Sequence, residues 1–273
     1  MVNKGFFAAG ATILLFLVFI AVFADILAPY DPSAISGSPF EPPTDEHMLG
    51  TNDIGQDIFS ELLVGTRYSL AVGLITTAIS ASLAVLIGMA AGWAGGLVDS
   101  VLMKVSSFVL AIPYIPLILV ISALTRGSIW SLAIVMGLTA WPEMARIIRT
   151  QTMTLKHSEY ITSIAAMGAG STYILKKHIA RELLPFIAYS ITARFRTAVL
   201  AESTLSFLGF APGIVKSWGT MLYYAQASNA FLTGAWVWWA IPPGIMITLL
   251  TLGLSFVSYS IEGKMDPRLE GRK

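Results

Sequence analysis

Apolar runs with few charges alternate with short polar segments along the whole chain. Phe6–Ala28, Tyr68–Ala91, Val105–Thr125, Leu184–Phe210 and Trp238–Ser260 each have the length of a membrane-crossing helix, and Ser128–Trp141 opens another. About 20 apolar residues carry a helix through a bilayer core. The pattern predicts an all-α polytopic membrane protein with six transmembrane helices. A cleavable signal peptide is the alternative for the first run, with small residues near Ala24 as the cut site. Its long apolar core and the spans that follow favour a retained helix. Gly73, Gly88 and Gly92 lie in or beside the second run, where small residues let helix backbones approach closely in lipid. Pro113 and Pro116 interrupt the third run. Each removes a backbone donor and can kink a span, either lining a path or as a packing irregularity.

Composition agrees with the pattern. Of 273 residues 55% are hydrophobic and 12% charged, against about 25% charged in a soluble domain. Mean hydropathy is +0.73. With no cysteine, disulfides, thiolate nucleophiles and cysteine metal sites are excluded. The net charge of +1 hides an asymmetry. Tyr30–Thr66 carries seven acidic residues and no Lys or Arg, whereas eight of the 17 basic residues fall within Arg146–Arg196. Basic loops stay on the cytoplasmic side. The acidic segment is therefore expected outside, and both termini inside. Arg194 and Arg196 are expected to snorkel to the inner surface. Glu143 and Arg146, three apart, are expected to pair on one helix face.

Glu159–Pro185 is the polar stretch with a pattern of its own. Ile161, Ile164, Ala165 and Gly168 recur at helical spacing, as do Tyr173, Ile174 and Lys177, and Gly168-Ala169-Gly170 separates the two sets. This predicts helix, glycine turn, helix. Tyr160–Ala169 resembles the F-V-E-A-A-R-A-L-G-A coupling loop of binding-protein-dependent ABC import permeases, with Thr162 at the usual acidic position and Gly168 retained. Four other stretches are similar to the C-type permease of the dipeptide, oligopeptide and nickel importers. They are His47–Asp57 (H-x-L-G-T-D-x-x-G-x-D in the family), Ala201–Gly209 (A-E-x-x-L-S-F-L-G), Ser217-Trp218-Gly219 and the closing Asp266-Pro267-Arg268.

That resemblance implies a tail and first helix over 1–28, an extracytoplasmic segment over 29–67, and a permease core over 68–273 with a coupling loop over 149–184. It implies ATPase coupling through Tyr160, Thr162, Ser163, Ile164, Met167, Gly168, Ala169, Gly170 and Ile179, and pore or interface roles for Pro113, Pro116, Glu202 and Ser206. The implied partners are a second permease subunit, two cytoplasmic ABC ATPase subunits that hold ATP and Mg, and an extracytoplasmic substrate-binding protein. No cofactor is expected on this chain. Peptide is the first substrate class, with nickel, its chelates or oligosaccharide as alternatives.

Other functions find little support. No G-x-x-x-x-G-K-[ST] loop, H-E-x-x-H or G-x-S-x-G occurs, which removes the usual frames for ATP hydrolysis, zinc proteolysis and serine hydrolysis. Asp53 and Asp57 lack EF-hand spacing. The aromatics of Ala211–Trp236 suit a membrane interface, and without a basic groove they do not predict nucleic-acid binding. A proton-coupled secondary transporter is the remaining rival, with Glu202 as the proton carrier. Against it stands the coupling loop, which such a transporter does not need. A hydrogen bond that only fixes helix packing is the other reading of Glu202.

Overall fold

The computed structural model describes residues 4–125, 129–210 and 215–262. The expected turn at Arg126-Gly127, Ser128, the stretch 211–214 and the closing segment after Glu262 lie outside the described residues. All named elements are helical. They begin with α1 (Lys4–Leu27), α2 (Ile58–Ala94), α3 (Gly96–Ala111), α4 (Tyr114–Thr125), α5 (Ile129–Thr139) and α6 (Trp141–Lys156). Next come α7 (Glu159–Ala166), α8 (Ser171–Ile174), a π-helical segment Leu175–Ile179 and α9 (Ala180–Phe207). The chain closes with α10 (Trp218–Ala227), α11 (Ala230–Thr233), α12 (Trp236–Trp239) and α13 (Ile241–Glu262).

Four stretches are long and apolar enough to cross a membrane: Lys4–Leu27, Ile58–Ala94, Ile129–Lys156 and Trp236–Glu262. The pair α3 and α4, bent by 81°, makes a fifth if it is one span. The expected count of six is therefore not reached by length and apolarity. The shortfall is at α9, where Arg194, Arg196 and Glu202 dilute the apolar run. The bend falls at Ile112-Pro113, at the first of the two prolines in this run, and Pro116 sits in the first turn of α4. There a missing N–H leaves no hydrogen bond unmade.

The second helix begins ten residues before the expected Tyr68. Asp57 caps it, accepting from the Ser60 backbone N–H at 2.7 Å and from the Ser60 hydroxyl at 2.7 Å. An aspartate cap of this kind satisfies one of the orphan donors of a first turn. At 37 residues, α2 is about 55 Å long at 1.5 Å per residue, and α1, α3, α5, α6, α9, α10 and α13 pack along it. A Cβ on Gly88 would lie 2.6 Å from the Ala145 carbonyl oxygen, and one on Gly92 would lie 2.7 Å from that of Arg149. These glycines let α2 and α6 touch backbone to backbone, the packing role their position predicts. Gly73 instead makes room for the side chains of Val199 and Phe195 on α9.

One core cluster joins α1, α2, α10 and α13 through Leu17, Ile20, Leu62, Trp218, Trp239 and Leu250. A second lies at the other end of α2, around Trp141, Met144, Ile148, Ile161, Ile174 and Ile179. The ends of α2 are thus distinct. Lys216 reaches Glu61 at its start, and Lys156 donates to the Trp93 carbonyl at its finish, 2.5 Å away.

Candidate functional site

The polar stretch after α6 folds as a short capped helix on a packed base. Ser158 caps α7, its hydroxyl accepting from the Ile161 N–H. At the other end Gly168 has φ +88°. Its N–H donates to the Ala165 carbonyl at 3.0 Å, and the Ala169 N–H to that of Ile164 at 3.4 Å. This is a Schellman termination, with glycine at the left-handed position and Ala169 and Ile164 as its hydrophobic pair. Both side chains pack against the second cluster. No heavy atom lies within 4 Å of where a Gly168 Cβ would stand. The glycine is thus required by its backbone conformation and not by a close neighbour within the chain.

The expected second helix is only the start of a longer one. Backbone angles stay helical at Ile174, Leu175, Ile179 and Ala180, so the path from α8 runs through the π segment into α9. The nine residues expected in the loop separate into two groups. Tyr160, Thr162, Ser163, Met167, Gly168 and Gly170 are exposed; Ile164 and Ala169 are half-buried, and Ile179 is fully buried. Tyr160 and His178 are hydrogen-bonded at 2.7 Å, tying α7 to the π segment.

Glu202 lies at the other functional signature, fully buried in α9. Its carboxylate accepts from the Ser206 and Ser217 hydroxyls, each at 2.7 Å, and from Ser203 at 3.4 Å. No basic side chain is recorded against it among the described residues. Ser217 is also the N-cap of α10, in a capping box with Thr220. A Cβ on Gly219 would meet Ser206 Cβ at 2.6 Å, which marks how closely α9 and α10 cross. Trp218 extends the joint to α2, its backbone N–H donating to Ser69 and its indole N–H to Thr66. The A-E-x-x-L-S-F-L-G and S-W-G signatures are therefore two sides of one joint. Gly209, at φ +82°, ends α9 by the same Schellman pattern as Gly168.

The acidic segment folds as a cap over this end. Lys216 donates to Glu61 at 2.6 Å and to Gln56 at 2.8 Å, while Asn52 donates to both. Lys216 has no place in any motif, so sequence reasoning missed it; its isolation as the one basic residue in an apolar stretch was the available signal. Asp53 and Asp57 do not converge. Asp53 accepts from Ser228 at 2.6 Å, and Asp57 faces His47 at 2.9 Å. Burial alone would lower the His47 pKa, but the hydrogen bonds to Asp57 and the Ser36 carbonyl, with the charges of Asp57 and Glu41, raise it overall.

One expected ion contact is corrected. Glu143 pairs with Arg194 at 2.5 Å, and Arg146 donates instead to the Ser106 and Ser107 hydroxyls. Tertiary partners outcompete an i,i+3 contact worth only a few tenths of a kcal/mol, ~0.2–0.5. Arg194 takes the Glu143 partner, and Arg196 donates to Ser255 on α13 at 2.8 Å.

Both the α7 segment and the α9–α10 joint fall within a stretch that matches a family model. Residues 84–271 match the model of the binding-protein-dependent transport system inner membrane component. The chain belongs to that family. Residues 3–43 match the N-terminal transmembrane domain of oligopeptide transport permease C. The permease is 31% identical to the dipeptide transport system permease protein DppC of Bacillus subtilis, over 96% of this chain and 81% of that protein. It is 29% identical to the oligopeptide transport system permease protein OppC of the same organism, over 95% and 85%. A Brucella suis protein named for peptide transport permeases is 34% identical over 99% and 90%. Family membership makes the chain a multi-pass transport component, not an enzyme, and implies the usual importer complex of two permeases, ATPase subunits and a binding protein.

Proposed function

We propose that this permease forms half of the translocation path of an ATP-driven importer for dipeptides or oligopeptides. The observation that carries the reading is the capped α7 segment, which presents exposed Tyr160, Thr162, Ser163 and Met167 from a base buried at Ile161, Ile174 and Ile179. A rigid base under an exposed face transmits displacement, so an ATPase subunit docked there moves the helices behind it. Gly168, Ala169 and Gly170 shape that face, and Ile164 and Ile179 support it from beneath. Two ATPase subunits, holding ATP and Mg, dock on this segment and its counterpart in a second permease. The coupling segment and both termini lie in the cytoplasm, by the positive-inside rule. The acidic 29–67 cap faces outward and receives the binding protein. In this reading α9 is the sixth span, its charges turned inward, and Pro113 and Pro116 line the path. Glu202 and Ser206 hold the α9–α10 joint.

Peptide is favoured as substrate because the similar permeases above are dipeptide, oligopeptide and peptide transport proteins. Uptake of labelled dipeptide, tripeptide, nickel and oligosaccharide in cells lacking and regaining this chain tests it. Loss and restoration of peptide uptake alone supports the reading; loss of nickel or oligosaccharide uptake with peptide unaffected rejects it.

A further inference from the structure

A cavity of about 240 Å³ opens between α2, α9 and the helices from α3 to α6, and Thr76, Tyr114, Thr139, Glu143, Arg194 and Thr197 give it a polar side. Thr76 is the central residue of α2 (Ile58–Ala94), and Arg194 lies at the middle of α9 (Ala180–Phe207). Both interruptions in the neighbouring helices open onto it: Tyr114 follows the α3–α4 bend, and Thr139 and Ala140 sit at the α5–α6 break. A further cavity of about 260 Å³ shares Glu143, Arg194 and Thr197, so the ion pair stands between two open spaces.

The charges on α9 differ in how they are satisfied. Glu202 is enclosed by three serine hydroxyls, and Arg196 is bonded to Ser255. Arg194 has one recorded hydrogen bond among the described residues, to Glu143 at 2.5 Å. A guanidinium carries five N–H donors in a planar fork, and Arg194 lines both cavities. Glu143 is 68% exposed on its open side. Charges within spanning helices are costly and turn toward water-filled routes, and interrupted helices mark substrate sites in transporters. A packing role alone would enclose the pair, as it does Glu202.

We infer that Glu143 and Arg194 form a binding site for the charged ends of a peptide in transit. Arg194 takes the terminal carboxylate through its fork, Glu143 takes the terminal ammonium, and the two residues re-pair when the peptide leaves. The inference rests on the peptide-importer reading above and places a contact of that substrate on this chain.

The chain contains no cysteine, so Thr197→Cys gives one reporter in the cavity of a purified complex whose other subunits carry no reactive thiol. Trialanine is expected to slow its alkylation severalfold, while trialanine amide and N-acetyl-trialanine protect less. In an Arg194→Gln background the free acid and the amide should protect equally; in Glu143→Gln the free amine and the N-acetyl form should. Arg194→Lys keeps the ion pair for assembly and should weaken protection by the free acid selectively. Absence of protection, or equal protection by all three peptides in the otherwise unaltered complex, overturns the site. The measurement needs no binding protein, so that failure is separate from a failure of peptide uptake, which would overturn the importer reading and this inference together.

Discussion

Glu202 and Ser217 are joined by a hydrogen bond of 2.7 Å that ties α9 to the capped start of α10. The carboxylate is surrounded by hydroxyl donors, so it acts as an acceptor hub at a close helix crossing. Glu202→Gln keeps one acceptor oxygen and should retain most of the complex yield and uptake. Glu202→Leu leaves three buried hydroxyls without this partner, at about 1–3 kcal/mol each, and Glu202→Lys adds an unpaired charge. Both should fail to assemble. Normal complex recovery for Glu202→Gln together with complete loss of uptake would sink the packing role and favour a proton-carrying one.

Outside the bundle, His47 gives the cap a pH dependence. Its Nδ1 lies 2.9 Å from Asp57 and its Nε2 lies 3.3 Å from the Ser36 carbonyl oxygen. Both partners are acceptors, so both ring nitrogens serve as donors only in the protonated imidazole. The folded-state pKa is raised above the ordinary 6.5. Its stabilisation is then fully present below about pH 6.5 and is lost as pH rises through the higher folded value. Amide protection over 36–57, corrected for intrinsic exchange, should be constant below about pH 6.5 and fall as pH rises above it. His47→Gln should flatten that profile; an equally flat profile in the unaltered chain would reject the charged form.

The membrane class, the apolar runs and the glycine turn were legible because each rests on local pattern. A span shows as apolar length, and a Schellman glycine shows as a glycine after an amphipathic turn. What stayed hidden depends on partners far apart in sequence. Lys216 meets Glu61 across 155 positions, and Arg194 meets Glu143 across 51. Spacing suggested Arg146 for Glu143, but helix periodicity carries no knowledge of which helices face each other. The early start of α2 was missed for a different reason: Glu61 and Arg67 interrupt the apolar run, while the Asp57 cap sets the boundary.

The Glu61–Lys216 contact should behave as a buried pair, since the two side chains are only 2% and 14% exposed. Removing one partner strands the other charge, at about 3–5 kcal/mol. Lys216→Met and Glu61→Leu should each lower the thermal stability of the assembled permease strongly. The double variant should recover much of the loss, because an apolar pair of similar volume is often close to neutral. Two additive losses in this cycle would show that the contact carries no coupling.

Gly168 provides the sharpest test of how the coupling segment works. Its φ of +88° lies where a Cβ is strained, at a cost of roughly 1–2 kcal/mol for most residues. The space around it within the chain is open, so substitution there disturbs α7 through the backbone and whatever docks outside through contact. The two effects separate by side chain. Gly168→Asn tolerates the left-handed conformation but adds bulk; Gly168→Ala adds little bulk but pays the strain. If the exposed face beside Gly168 docks closely against an ATPase subunit, Gly168→Asn should lose ATPase co-purification while α7 stays folded. Gly168→Asp adds an unpaired charge that docking would have to desolvate, and should lose both co-purification and uptake at normal membrane level. The apolar spans that drive insertion are unchanged in every variant. Pull-down of ATPase subunits by tagged permease, with uptake measured in the same membranes, reads both effects. Full ATPase recovery and full uptake for Gly168→Asp would remove the coupling assignment, and with it the main ground for preferring an ATP-driven importer to a proton-coupled carrier on structural evidence.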